Sequence, residues 1–372
     1  MIMRALSLGL AMVAAFAVPA RAAAPAPTPT DAEIRTLLAD RVDGRRQGSG
    51  MVVEIVGPAG RRTIAYGTLA RGDGRPMTGE TVFQVASVTK VFTALLLAQA
   101  VESGALMVDG AVADSLPRPA NRLPHAGDLA VTWADLATMT SGLPAWPRNR
   151  ASRDHTNPFA GYSRGALFDF VASEPPVPRA QRRYAYSDLG YGLLGEALAT
   201  REAVGWPALV EARVTGPLGL KDTRPELTLD MRAREAVEYD MTGGRSTRRD
   251  YGALAGAGAL YSTADDLAVL LEALLGRREP SLAAGLQRML ATRRPGGQPP
   301  STEAALGWNV VREGGRELIW KDGFYHAFIG LDRDAGVGVV VLANGQAPGG
   351  VNDLGLGLLD PGRAARPAPA AR

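Results

Sequence analysis

Short runs rich in apolar and β-branched residues lie near both ends of the chain. Near the N-terminal end, Met51 to Val56 and Arg62 to Tyr66 flank the turn residues Gly57-Pro58-Ala59-Gly60. Two such runs around a Gly/Pro turn are typical of a β-hairpin. Near the other end, Gly and Asp turns separate four more runs: Gly307 to Val311, Glu317 to Trp320, Ala327 to Leu331 and Val337 to Leu342. The pattern predicts strands at both ends of the chain.

The middle of the chain has a longer hydrophobic period. Apolar residues recur every three to four positions, as in amphipathic helices, over Val88 to Ser103, Ser163 to Ala172, Asp188 to Ala199, Trp206 to Val214 and Thr263 to Leu275. Strands at both ends with helices between them favour an α/β fold of the α+β type. We expect one mainly antiparallel sheet, completed by the two chain ends and flanked by helices, with a helical lobe inserted between its strands.

The N-terminal residues follow the order of a signal peptide: Arg4, the apolar run Ala5 to Val18, and the small-x-small triplet Ala20-Arg21-Ala22. The run is shorter than the ~20 residues of a membrane span. The sequence predicts a signal peptide over 1–22, a Pro/Ala linker over 23–29, a domain over 30–360 and a disordered tail over 361–372. A capping box, Thr30 to Glu33, opens the first helix of the domain, which should run to about Arg41. We expect a periplasmic or secreted protein with no stable membrane span after cleavage.

Composition narrows the classes of function. The 372 residues carry 41 basic and 38 acidic side chains, a net charge of only +3, so nucleic acid is not an expected partner. There is no cysteine, and the three histidines lack metal-ligand spacing. We therefore do not expect a metal site. An organic cofactor is not expected either, and we expect a monomer that acts on a small-molecule substrate.

The segment from Phe83 to Lys90 carries the first candidate chemistry. Ser87 and Lys90 are three residues apart, just before an apolar helix that Gly104 would terminate. A serine at a helix N-terminus has a free backbone N–H, and a lysine one turn later can reach its hydroxyl. The alternative is an ordinary N-cap serine with a surface lysine nearby.

The scarcity of lysine favours the catalytic interpretation. Only three of the 41 basic residues are lysines: Lys90, Lys221 and Lys321. A lysine can lose its proton when its pKa is lowered, whereas an arginine in a protein cannot. Retaining lysine at Lys90 in an arginine-rich chain is therefore consistent with a base for Ser87.

Further boxes follow in order along the chain: LATMTSGLP over Leu136 to Pro144, YSDLGYGLLGE over Tyr186 to Glu196, PLGLKDT over Pro217 to Thr223, GAGALYSTADDL over Gly256 to Leu267, and IGLDRDAGVGVVVLAN over Ile329 to Asn344. With Ser87 and Lys90, this series resembles the serine β-lactamases and penicillin-binding proteins, closest to the class C β-lactamases and the related D,D-peptidases and esterases. The resemblance covers roughly Thr30 to Asp360.

The resemblance implies roles for individual residues. Ser87 would be acylated, and Lys90 would accept its proton or tune its acidity. Tyr186 would pass a proton to the leaving group and help to activate the hydrolytic water. Lys321, in the box Lys321-Asp322-Gly323, would add positive charge that favours a neutral Lys90 or an ionised Tyr186. The oxyanion would be bound by the N–H of Ser87 and by that of Phe324, after Gly323.

Two positions depart from the family pattern. Asp188 stands where an asparagine is usual, and its carboxylate would favour a charged Lys90 unless it is protonated or held by an arginine. Asp322 stands where a Thr or Ser hydroxyl usually helps to bind a substrate carboxylate, and the turn after it is about three residues short. Unless an arginine intervenes, Asp322 would repel such a carboxylate. The change at Asp322 moves weight from a specialised β-lactamase toward an esterase or amidase with another substrate, and Asp188 motivates the hypothesis of a sensor that turns over poorly.

A second serine motif, Gly161-Tyr162-Ser163-Arg164-Gly165, fits the G-x-S-x-G nucleophile elbow, and His326 lies downstream of it. An elbow follows a buried strand, whereas the stretch from Arg148 to Pro158 is polar and rich in turn residues. We therefore interpret Ser163 as the N-cap of a helix.

These residues predict a serine hydrolase that forms an acyl-enzyme on Ser87. Hydrolysis of a β-lactam amide, as in class C, is slightly favoured. A D,D-carboxypeptidase or endopeptidase and a carboxylesterase of the same family are the alternatives. A hypothesis of another class is a penicillin-binding sensor that acylates on Ser87 and turns over poorly.

Overall fold

The structure is a computed structural model that describes residues 29–278, 282–313 and 315–361. The predicted signal peptide, most of the linker and nearly all of the predicted tail lie outside the described residues. The first helix begins at the predicted capping box: Thr30 Oγ1 accepts from the Glu33 N–H at 3.3 Å, and the Glu33 carboxylate accepts from the Thr30 N–H at 2.8 Å. This α-helix ends at Ala39, and one π-helical turn, Asp40–Gly44, follows.

Eight strands form one fully antiparallel sheet in the order β2-β1-β10-β9-β8-β7-β6-β5, and β3 pairs with β4 in a separate small sheet. The strands are β1 Gly50–Gly57, β2 Gly60–Gly67, β3 Phe83–Gln84, β4 Tyr261–Ser262, β5 Arg293–Pro295, β6 Glu303–Ala305, β7 Asn309–Glu313, β8 Arg316–Gly323, β9 Ala327–Asp332 and β10 Val337–Ala343. The N-terminal hairpin joins the C-terminal strands through β1 and β10. The prediction of an antiparallel sheet completed by both chain ends is confirmed.

Twelve α-helices surround this sheet within the described ranges: α1 Asp31–Ala39, α2 Thr89–Glu102, α3 Trp133–Ala137, α4 Arg164–Ser173, α5 Asp188–Arg201, α6 Trp206–Val210, α7 Gly216–Leu218, α8 Leu229–Ala233, α9 Ala255–Gly258, α10 Ala264–Leu274, α11 Ala283–Ala291 and α12 Asn352–Leu359. The α2 helix lies at the centre of the helical lobe, and its residues from Thr89 to Ala98 are all buried. Gly104 follows it at φ 73°, a left-handed conformation suited to glycine. None of these helices is long and apolar enough to cross a membrane.

The two faces of the sheet bury different partners because successive strand side chains point to opposite sides. Val52 and Val340 face the helical lobe, together with Ile319 of β8. Met51 and Val341 face the other side, where α1 and α12 cover them. Lys321 lies two residues after Ile319 on β8 and so faces the same side. The candidate catalytic residues therefore lie between the sheet and the helical lobe.

Short elements account for the differences from the sequence prediction. Both β5 and β6 have three residues, and α12 has eight, too few for a clear hydrophobic period. The strand expected from Gly307 begins at Asn309. Gly307 has φ 80°, and a Cβ there would lie 2.9 Å from the Ala94 side chain, so it turns the chain past α2.

Candidate active site

Ser87 lies in a 3₁₀ turn, Ala86–Val88, that leads directly into α2. The residue before it, Ala86, has φ 45°, a left-handed conformation that is uncommon for a residue with a side chain. The Val88 N–H bonds to the Val85 carbonyl at 3.1 Å and closes the turn. A strained turn at the start of a buried helix thus presents the Ser87 side chain at the predicted helix N-terminus.

Lys90 is fully buried beneath Ser87. Its Nζ lies 3.0 Å from Ser87 Oγ, 2.6 Å from Asp188 Oδ1 and 2.8 Å from the Ala257 carbonyl oxygen. Burial lowers the pKa of Lys90 from its ordinary value, and the neighbouring Asp188 carboxylate opposes that shift. The predicted proximity of Ser87 and Lys90 is present, and the amine has an acceptor for each of its three hydrogens.

Tyr186 completes the group around the serine. Its hydroxyl is hydrogen-bonded to Ser87 Oγ. Its ring lies near two ammonium groups, 4.8 Å from Lys90 Nζ and 5.2 Å from Lys321 Nζ. Burial raises the pKa of Tyr186 well above its ordinary value, and Lys321 acts in the opposite direction. Tyr186 is therefore placed to hold a proton beside Ser87.

Strand β8 ends with the predicted box Lys321-Asp322-Gly323, which lies beside Tyr186. Lys321 is buried, and its Nζ lies 3.3 Å from Gln298 Oε1 and 3.2 Å from Asp322 Oδ1. The other oxygen of Asp322 accepts from Asn352 Nδ2 at 3.0 Å. Among the described residues, no arginine hydrogen-bonds or ion-pairs with the Asp322 carboxylate.

Gly323 is needed where β8 passes the nucleophile. A Cβ on Gly323 would lie 2.1 Å from the Val85 carbonyl oxygen, two residues before Ser87, so any side chain would push the strand away. Phe324 follows at φ 38° with its ring 42% exposed. The guanidinium of Arg249 lies 3.5 Å from the centre of that ring and ion-pairs with Glu238. The Phe324 backbone therefore adjoins the Ser87 turn, as an oxyanion donor there would require.

Asp188 is the first residue of α5, and its partners are not those considered from the sequence. One oxygen contacts Lys90, and the other accepts from Trp146 Nε1 at 3.0 Å. No arginine of the described ranges holds this carboxylate. Sequence reasoning missed Trp146, because nothing in its turn between Pro144 and Pro147 indicates a partner 42 residues away.

The Gly256–Leu267 box also has a role that was not assigned. Ala257 provides the carbonyl that binds Lys90, and a Cβ on Gly258 would lie 2.2 Å from the ring of Tyr251. The small residues of this box allow α9 to approach Lys90 and Tyr251 closely. The run of Gly and Ala in the sequence indicated close packing, but it did not indicate which residues would pack against α9.

Ser163 is a helix cap, as interpreted from the sequence. It is exposed, and its Oγ accepts from the Ala166 N–H at 3.1 Å. His326 is buried elsewhere, with Nε2 2.8 Å from the Gln84 carbonyl oxygen and Nδ1 3.8 Å from Glu238 Oε1. The elbow interpretation has no support in this arrangement.

Comparison with known proteins identifies the family. The family model described as Beta-lactamase matches residues 31–359, and the chain belongs to this family. Esterase EstB of Burkholderia gladioli is 30% identical over 341 residues, which cover 80% of this chain and 86% of that protein. Putative beta-lactamase-like 1 of Homo sapiens is 31% identical over 287 residues, 73% of this chain and 55% of that protein.

The D-alanyl-D-alanine-carboxypeptidase/endopeptidase AmpH of Escherichia coli strain K12 is 27% identical over 229 residues, 62% of this chain and 58% of that protein. The chain thus spans little more than half the length of the human and Escherichia coli relatives. Among solved structures, a class C β-lactamase from Rhodobacter sphaeroides superimposes with a TM-score of 0.74 at 23% identity, over 89% of this chain and 99% of that one. This likeness shows the β-lactamase/transpeptidase-like fold. Together these findings place the chain in a family of serine hydrolases.

Proposed function

We propose that this chain hydrolyses a carboxylic ester through an acyl-enzyme on Ser87. The observation that carries the proposal is the contact of Ser87 Oγ with two proton-handling groups, the Lys90 amine at 3.0 Å and the Tyr186 hydroxyl. A serine nucleophile needs a base within hydrogen-bond reach, and the leaving group needs a proton donor. Lys90 and Tyr186 can supply these two functions.

In the proposed acylation Lys90 acts in its neutral amine form, and Ser87 Oγ attacks the carbonyl carbon while its proton passes to Lys90 Nζ. The oxyanion accepts from the N–H groups of Ser87 and Phe324. When the tetrahedral intermediate collapses, Tyr186 gives its proton to the departing alkoxide. Tyr186 regains a proton from Lys90, and water then releases the acyl group by the reverse sequence.

The charges around the nucleophile favour a neutral acyl donor. The ammonium of Lys321 is matched by the Asp322 carboxylate, and the Lys90 ammonium by Asp188. A substrate carboxylate placed beside Asp322 would meet like charge, with no arginine at hydrogen-bond distance within the described chain to offset it. The extent of the similarity to esterase EstB agrees with an ester substrate.

Hydrolysis of a β-lactam amide is the second candidate. The match of residues 31–359 to the family model described as Beta-lactamase supports it. The same Ser87, Lys90 and Tyr186 would act on the lactam carbonyl. The carboxylate that penicillins carry beside the ring counts against this substrate at Asp322.

Three probes separate these functions: p-nitrophenyl butyrate, a chromogenic cephalosporin and a fluorescent penicillin. We expect turnover of the ester, little turnover of the cephalosporin, and loss of both ester turnover and labelling in Ser87→Ala. Faster turnover of the cephalosporin than of the ester would favour the β-lactamase. Persistent penicillin labelling without turnover of any probe would favour a sensor.

We further propose that the chain is exported after removal of residues 1–22. The support is the sequence of the N-terminal segment alone. N-terminal sequencing of the secreted or periplasmic protein should read from Ala23. A protein retained with Met1 in the cytoplasm would contradict this proposal.

A further inference from the structure

Asp188 lies between two fixed donors. Its Oδ1 is 2.6 Å from Lys90 Nζ, and its Oδ2 accepts from the Trp146 indole N–H at 3.0 Å. The indole is held by Phe159, which packs edge-on against it with ring centres 5.6 Å apart. The Arg150 guanidinium lies 5.3 Å from the centre of the indole ring and makes no hydrogen bond to it. The carboxylate therefore has a defined position with one donor on each oxygen.

Lys90 has few places to send a proton. The side chain is fully buried, and its other two contacts are the hydroxyl of Ser87 and the carbonyl of Ala257. Neither of these is a base at neutral pH. Within the described ranges, Asp188 is the one carboxylate at hydrogen-bond distance from the amine.

We propose that Lys90 and Asp188 share one proton and act together as the base for Ser87, with Trp146 as the positioning residue that holds Asp188 in this pair. The inference rests on the proposed acylation of Ser87. It gives Asp188, where the family usually has asparagine, a function of its own. It also assigns a function to Trp146, a residue that is 43% exposed beside the site.

The proton transfers balance as follows. The Lys90 ammonium passes one proton to Asp188 Oδ1, which leaves a neutral amine. Ser87 Oγ then forms a bond to the carbonyl carbon, its proton moves to Lys90 Nζ, and the π electrons of the carbonyl move to its oxygen. The pair now holds two protons, and one returns through Tyr186 to the leaving group when the bond to that group breaks.

The other titratable groups that face the Lys90–Asp188 pair allow the protonation of the pair to be measured separately from their own. Tyr186, Tyr191 and Tyr251 face it, and burial raises the pKa of each hydroxyl, so all three keep their protons at acid and neutral pH. Lys321 and Asp322 are the other charged groups nearby, and they contact each other. The acid limb of the Ser87 reaction should therefore report the second protonation of the Lys90–Asp188 pair.

Removing Asp188 should move this limb to higher pH. In the wild-type protein the Lys90 proton can pass to the Asp188 carboxylate, 2.6 Å from Nζ, whereas in Asp188→Asn this acceptor is gone. A buried lysine without that partner must lose its proton to solvent, which even in extreme cases requires a pH of about 5 or higher. Removing only the indole donor takes away one hydrogen bond from the Lys90–Asp188 pair and leaves the carboxylate in place, so the limb moves the same way by less.

The experiment measures the labelling rate of the full chain by a fluorophosphonate between pH 3 and 10. In this reaction Ser87 Oγ bonds to phosphorus, fluoride leaves and the pair takes the serine proton. Asp188→Asn should lower the rate near neutral pH by about 100-fold and move the acid limb up by about one unit or more. Trp146→Phe keeps an aromatic ring without the N–H and should move the limb up by less than about one unit.

Arg150→Ala is the matched control, because it removes a contact to the face of the same indole and leaves the N–H in place. It should leave the labelling profile unchanged. A uniform fall in rate for Asp188→Asn, with the limb unmoved or moved down, would overturn the shared-proton base. So would a limb that moves in Asp322→Asn instead. Wild-type protein that is not labelled, or labelling that survives Ser87→Ala, would instead contradict the proposed function.

Discussion

The chain contains two serine motifs that are similar in sequence, but the two serine side chains have different surroundings in the structure. Ser87 and Ser163 both lie at the start of a helix, within a short recognisable box. Ser87 Oγ contacts Lys90 and Tyr186, one of which lies 99 residues away. Ser163 Oγ contacts the backbone of its own helix, three residues away. The comparison teaches that a nucleophile is defined by distant groups that converge on it, whereas a cap is satisfied locally.

The largest difference should appear when each hydroxyl is removed. Ser87→Ala eliminates the atom that is acylated, so we expect kcat for p-nitrophenyl butyrate to fall by about 10⁴-fold or more. Ser163→Ala should leave kcat and KM unchanged. Steady-state kinetics of the two purified variants tests this prediction. Loss of activity in Ser163→Ala with full activity in Ser87→Ala would identify Ser163 as the nucleophile.

A second pair of variants tests the tyrosines beside the two serines. Tyr186→Phe removes the proton donor at Ser87, and we expect kcat to fall by about 10³-fold with little change in KM. Tyr162→Phe removes a hydroxyl that donates to Asn149 Oδ1 at 2.8 Å beside Ser163. It should keep full activity and lower the melting temperature slightly. Equal activity of both variants would exclude Tyr186 from proton transfer.

Two glycines, Gly323 beside the Ser87 turn and Gly165 in the Ser163 motif, test how closely the backbone must approach each serine. Gly323→Ala places a Cβ against the Val85 carbonyl, so β8 and the Ser87 turn must separate, and we expect activity to fall by about 100-fold. Gly165→Ala meets nothing closer than Ser163 Oγ at 3.9 Å. Inside α4 it should leave activity intact and stabilise the fold by up to about 1 kcal/mol. Kinetics and thermal unfolding of the two variants check this, and an active Gly323→Ala enzyme would show that the approach is not needed.

The smallest expected effect is on stability. Ser163→Ala removes the N-cap of α4, and such a loss costs about 1 kcal/mol. Urea unfolding should show a lower midpoint with an unchanged slope. Ser163→Asp, which retains a capping oxygen, should restore the midpoint; failure to do so would mean that Ser163 stabilises the chain in another way.

Local patterns determined much of this protein from the sequence alone. Three features depend on residues within a few positions of one another: the capping box at Thr30, the hairpin around Gly57 to Gly60 and the cap at Ser163. Their interactions can therefore be predicted from the order of the residues. The spacing of Ser87 and Lys90 is of the same kind, because one helical turn brings them together. Runs of apolar and β-branched residues likewise predicted six of the eight strands of the sheet, and missed only the three-residue β5 and β6.

Only the tertiary structure decided the environment of Lys90. Asp188, Trp146 and Ala257 come from separate loops and helices, and their side chains and carbonyls meet only after α2, α5 and α9 pack together. The sequence showed that Asp188 departs from the family pattern but could not show whether an arginine or a lysine faces it. Hydrogen bonds act over about 3 Å, so a substitution acquires its chemical meaning only when the fold fixes which distant groups lie within that distance.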